Sequence, residues 1–192
     1  MELIDAVRYR RSTAPLADDS PDDGQLASYL ALAAHAPDHA GLRPWRLVTL
    51  RGNDRDRLGE ALVAGFGDEP GTPEAAKTAS KPQRAPLLVG IVATPVDHPK
   101  VPEWEQIAAT AAMVTTLELV LFDAGWTAMW RTGPATKLAE VQRLMGIAKD
   151  EILLGWLYIG RTATQDGAPE RADPDVTGRI TSLPHAPDTA AD

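Results

Sequence analysis

The chain contains no cysteine. That excludes disulfide bridges, thiolate-bound metals and a cysteine nucleophile, and it is compatible with a cytoplasmic setting. Basic residues are in deficit: 19 Lys and Arg stand against 27 Asp and Glu, a formal net charge of -8. Such a surface repels phosphate backbones, so nucleic acid is not an expected partner. The longest apolar run, residues 107–122, is interrupted by threonines and Glu118 and falls short of a membrane span. The first residues place Glu2 and Asp5 where a signal peptide would carry bases. No Gly-x-Gly-x-x-Gly turn and no Walker loop occurs, which argues against a Rossmann dinucleotide site and a P-loop. There is no Gly-x-Ser-x-Gly elbow, and no serine has evident triad company.

What is present fits one domain with a sizeable core in 192 residues. The pattern predicts a short helix over 2–9, a Pro- and Asp-rich loop over 15–24 and a helix over 25–35. A strand over 45–51 and helices over 53–66 and 74–81 follow. Residues 85–94, apolar on both faces, read as the clearest buried strand. Residues 103–124 form the longest helix, with Pro102 at its start and Gly125 at its end. That helix is apolar around most of its circumference, which suits a central position, a subunit interface, or both. A short strand over 126–130, a helix from Pro134 to Leu144 and a strand over 152–160 complete the core. Residues 176–183 offer one further strand. Helices alternate with about four core strands, and the long connections permit crossovers. The expected class is therefore α+β, with a central mixed sheet flanked by helices. Residues 1–165 form the domain, and 166–192 a C-terminal extension that either lies across a partner subunit or is loose.

Two local features carry chemistry. Arg8, Arg10 and Arg11 cluster in an acidic chain, where they suit an anion as well as the C-terminal dipole of the first helix. Residues 35–50, "HAPDHAGLRPWRLVTL", place His35 and His39 four apart. Pro37 breaks the helix that would put both on one face, and no third ligand is evident, so a metal site is not expected. A hydrolytic His-Asp site lacks a nucleophile. The stretch reads instead as a stiff turn into a strand, with His35, Asp38, His39 and Arg43 offering ligand contacts and Pro37, Pro44 and Trp45 packing it.

Four segments together resemble the nitroreductase family of FMN-dependent oxidoreductases, most closely its small YdjA-like NAD(P)H nitroreductases. They are "RRSTAPL" at 10–16, "APDHAGLRPWRL" at 36–47, "KVPEWEQ" at 100–106 and "GWTAMWRTG" at 125–133, with "LGWLYIG" at 154–160 in support. The resemblance implies a nitroreductase-like three-layer fold and a homodimer with FMN at the subunit interface. Arg10, Arg11 and Ser12 match the family's N-terminal flavin motif, with the arginines suited to the phosphate. His35 and His39 match positions contributed by the partner subunit. Trp130, Arg131 and Thr132 match a flavin-contacting segment. Val120 to Gly125 corresponds to a stretch assigned to the nicotinamide cofactor, and Gly125 is carried over on that basis. Trp104 and Glu105 are expected to border the pocket or the dimer seam, with Glu105 meeting an arginine.

The implied activity is hydride transfer from NADH or NADPH as co-substrate, through FMN, to a nitroaromatic or quinone-like acceptor. No side chain need act as nucleophile, so no catalytic residue is assigned. Arg43 stands where the family commonly has glutamine. The alternative is a flavin-binding storage or sensing protein with little NAD(P)H turnover.

Overall fold

The computed structural model describes residues 2–13, 16–162 and 172–183. Five strands form one sheet: β1 (Leu16–Ala17), β2 (Trp45–Arg51), β3 (Leu87–Ala93), β4 (Thr127–Arg131) and β5 (Ile152–Thr162). β5 runs between β3 and β4, β2 lies outside β3, and the two residues of β1 pair with the end of β5. Every adjacent pair is antiparallel. The helices flank the sheet as expected, but the sheet is not mixed. A crossover does exist, because β3 and β4 both oppose β5 and so run parallel to each other. The late strand β5 inserts between them, which leaves only antiparallel neighbours.

The helices are α1 (Leu3–Tyr9), α2 (Asp23–Ala33), α3 (Asn53–Phe66), α4 (Pro73–Ala79), α5 (Glu103–Asp123) and α6 (Ala139–Leu144). They build a core on each face of the sheet. Val89, Ile91, Leu157 and Ile159 pack with Met113, Leu117 and Leu121 of α5 and with α2. Leu88, Val92, Trp156 and Tyr158 pack on the opposite face with Leu58 and Leu62 of α3 and Val141 of α6. This is the period-two division of a strand buried on both sides. Leu153 shares a face with Trp156 because the pairing shifts between Ile91 and Val92, opposite Gly155. A bulge there resets the alternation.

Among the described residues, α5 is the one helix that by length and apolarity would suffice to cross a membrane, more than the shorter run suggested. Its packing is that of a core helix. Thr110 is buried and bonds the carbonyl of Pro44, and Gln106 bonds Val96 and Val101.

Several boundaries differ from expectation for local reasons. α2 begins at Asp23, before Gln25, because Asp22 and Gln25 form a reciprocal capping box. The segment from Pro134 is broken at Leu138, which is extended and reaches Gly65. Residues 176–183 form no strand: Gly178 adopts φ +73° in a turn, and Ile180 and Leu183 are exposed. Residues 163–165 at the end of the expected domain, and 166–171 and 184–192 of the expected extension, lie outside the described residues.

Candidate functional site

Arg10 closes α1, its N–H donating to the Ala6 carbonyl. Its Nη1 lies 3.5 Å from Oε1 of Glu118, a carboxylate only 8% exposed in the C-terminal half of α5. Burial pushes the Glu118 carboxyl above its ordinary range, although the Arg10 charge and the Trp130 backbone N–H act against that. Arg10 Nη1 and Trp130 Nε1 are both buried without a hydrogen-bond partner. Arg11 turns back on α1, with Nη1 donating to the carbonyls of Arg8 (2.6 Å) and Arg10 (3.1 Å). It therefore caps the helix, as the dipole argument anticipates. Ser12 is exposed beside it.

The loop after α2 is held by Asp38, whose carboxylate accepts from the N–H groups of Leu42 (3.1 Å) and Arg43 (2.6 Å). Asp38 is thereby committed to the loop's own backbone. Ala40, Gly41 and Arg43 all adopt positive φ, so the turn is tightly constrained. His35 and His39 are both exposed. His39 Nδ1 meets Glu105 Oε1 at 2.8 Å, so Glu105 pairs with a histidine and not with an arginine. Trp104 beside it is 70% exposed.

The strand end at 130–132 divides across the sheet. Trp130 packs with the α5 core, whereas the Arg131 guanidinium lies 5.2 Å from the Tyr158 ring on the other face. Thr132 is exposed at the end of the strand. Gly155 lies directly alongside, where a Cβ would come within 2.2 Å of the Arg131 carbonyl oxygen. Gly125 adopts φ +80° after α5, and its carbonyl accepts from Arg161 Nη1 at 3.3 Å.

The fold thus brings Arg10, Glu118 and Trp130 together, with Arg11 and Ser12 adjacent. It does not bring them to the histidines within one chain. Glu105 and Glu118, which mark the two groups, are 13 residues apart on α5, or about 20 Å at the helical rise. Glu118 was not singled out by sequence reasoning. Its signal was the one acid within the apolar run 107–122.

Comparison with known proteins gives a consistent result. The sequence pattern of the Nitroreductase family matches residues 7–161. YdjA of Escherichia coli (strain K12), named as a candidate NAD(P)H nitroreductase, is 30% identical over 165 residues, covering 83% of this chain and 88% of its own. Among solved structures, a nitroreductase-like family protein from Bacillus cereus superposes with TM-score 0.83 at 20% identity, covering 95% of this chain and 96% of its own. The FMN-dependent nitroreductase NfnB from Mycobacterium smegmatis, solved with NADPH, gives TM-score 0.68 at 17% identity over 93% of this chain and 97% of its own.

Proposed function

The chain belongs to the nitroreductase family, and we propose that it is an FMN-dependent oxidoreductase. In this reading a hydride passes from NADH or NADPH through flavin N5 to an electron-poor acceptor, nitroaromatic or quinone-like, in a ping-pong cycle.

The observation that carries the reading is the state of Arg10. Its guanidinium is half-buried, its Nη1 has no hydrogen bond, and its nearest acid is one that burial disfavours as an anion. Such a cation is set to take a phosphate, for which its planar fork is suited. Arg11 and Ser12 extend the same donor set. Trp130, with an unsatisfied indole N–H, and the exposed edge at Thr132 supply the strand-end contacts. Arg131 contributes there through its backbone, since its side chain is on the other face. Gly125 leaves the end of α5 open for the nicotinamide. Arg43 places a positive charge beside the acceptor, which favours acidic or strongly electron-poor compounds over neutral nitroaromatics.

A homodimer completes the site. The separation of His35 and His39 from Arg10 along α5 is bridged if a second copy supplies the histidines. The exposed side chains of Leu3, Ile4, Val7 and Trp104 offer the apolar surface for such an interface. The C-terminal extension then packs on the partner, which would cover Val176, Ile180 and Leu183.

The test is an absorption spectrum of protein purified with added FMN, followed anaerobically as NADPH and then NADH are added. Flavin bands that co-purify and bleach with either nucleotide support the reading. Bands that persist with both sink the NAD(P)H half of it. Arg10→Ala is expected to lose FMN on gel filtration, and undiminished retention would remove Arg10 from the site.

A further inference from the structure

A second pocket lies on the opposite face of the sheet from Arg10. It encloses about 340 Å³ between α3, β4, β5 and the turn at 81–84. Lys81, Arg84 and Arg131 all line it, and none of its lining residues is acidic. Among the described residues, none of the three makes an ion pair with a carboxylate. In a chain of net charge -8, three uncompensated cations converging on one cavity are a local inversion of sign. Their repulsion is unfavourable unless an anion is bound.

The other surfaces define the rest of a ligand. Arg131 rests 5.2 Å from the Tyr158 ring and Lys81 5.2 Å from the Phe66 ring, so each cation is seated beside an aromatic face. Arg131 Nε is buried without a hydrogen-bond partner. Trp156, 5% exposed, also borders the pocket, and its indole N–H is likewise unsatisfied. Buried donors left unpaired are uncommon and costly. The volume is at the lower end for small-molecule sites, which restricts the body to one or two rings.

We infer that this pocket binds a small aromatic carboxylate, its oxygens between Arg84, Lys81 and Arg131 and its ring against Tyr158 and Phe66. The site is distinct from that proposed for FMN, because the sheet separates the two and only the end of β4, at Arg131 and the following Thr132, borders both. It does not depend on flavin binding.

The experiment uses the full-length protein with FMN present, labelled with ¹⁵N, and titrated with 2-naphthoate and separately with naphthalene-2-carboxamide. The indole N–H resonance of Trp156, identified by its loss in Trp156→Phe, is expected to shift saturably with the carboxylate and not with the neutral amide. Arg84 is exposed, so Arg84→Gln should fold normally and weaken binding by about tenfold, as for loss of one charge-assisted contact. Arg10→Ala should leave the titration unchanged, which separates this site from the flavin reading. Absence of saturation by roughly 10 mM carboxylate, a range that covers even weak fragments, would overturn the inference. So would equal binding of the amide, or affinity indifferent to Arg84→Gln.

Discussion

Arg10 and Glu118 form an ion pair at 3.5 Å in which the acid is the more deeply buried partner. The pair is therefore asymmetric: burial raises the carboxyl by more than Arg10 and the Trp130 N–H lower it. An acid raised on folding holds its proton in the native state after the unfolded chain has released it. Its contribution to stability is fully present below the ordinary value of 4.5 and is lost as pH rises through the folded value. Glu118→Gln cannot titrate. Its melting temperature should fall less steeply than the parent's as pH rises above that ordinary value, whatever the constant cost of leaving Arg10 without an anion. Parallel curves of melting temperature against pH for the two flavin-free proteins would refute this.

Gly155 and Gly90 make a controlled contrast. At Gly155, with φ +127°, a Cβ would meet the Arg131 carbonyl at 2.2 Å, and backbone in a sheet cannot give way. Gly155→Ala should cost about 3 kcal/mol or more, as strained positions with a clash do. At Gly90 the obstacle is the Met145 methyl, 2.3 Å from the built Cβ but at the end of a flexible side chain. Gly90→Ala should cost about 1 kcal/mol as that chain swings aside. Urea titration of both variants measures the difference. Equal losses would show that β4 can move away from β5.

Most of the architecture could be read from the residues. The strand at 45–51 and the helix at 53–66 matched their observed limits because apolar periodicity and flanking glycines mark them. The sheet's pairing was not legible, since the order of strands depends on where β5 inserts, and no local signal encodes that. The site was legible in parts. Arg10 and Arg11 stood out as charge in an acidic chain, and the loop at 35–44 stood out by its prolines and histidines. Their spatial relations were not, because Glu118 becomes Arg10's partner only when α1 lies against α5. The opposed directions of Trp130 and Arg131 follow from strand alternation once β4 is placed. The meeting of Arg131 with Lys81 and Arg84 joins segments about 50 residues apart in sequence and has no signature in either.

Arg46 and Glu151 form a two-pronged pair, with Nε to Oε1 at 2.7 Å and Nη2 to Oε2 at 2.6 Å. The Ala148 N–H also donates to Oε2 at 3.0 Å. These contacts hold the Glu151 carboxyl below its ordinary range, Arg46 foremost. A lowered acid contributes stability above its unfolded pKa and loses that contribution as pH falls through the folded value. The pair is partly open to solvent, which reduces its worth. Glu151→Gln should cost about 1 kcal/mol near neutral pH, with the gap between variant and parent closing in acid. Urea midpoints at neutral pH and in acid test the sign. A gap that widens in acid would contradict it.

Gln106 ties the loop before α5 to the helix itself. Its Nε2 donates to the carbonyls of Val96 (2.8 Å) and Val101 (3.0 Å), and its Oε1 accepts from the Val96 N–H (2.9 Å). The side chain is buried, so Gln106→Leu keeps much of the volume but strands these backbone groups. The loss should be about 2–4 kcal/mol, the range for several unmet bonds at a buried site. Gln106→Glu gives a sharper test. As an anion it would face two carbonyls, whereas protonated it can donate to one of them and still accept from Val96. Its folded pKa is thereby raised, so this variant should gain stability relative to the parent as pH falls. Gln106→Leu should show no such recovery. The same loop leads into Trp104 and Glu105, so both variants should also speed amide exchange over 95–102. Exchange that is unchanged there, with stability lost elsewhere, would mean that Gln106 supports the core and not the entry to α5.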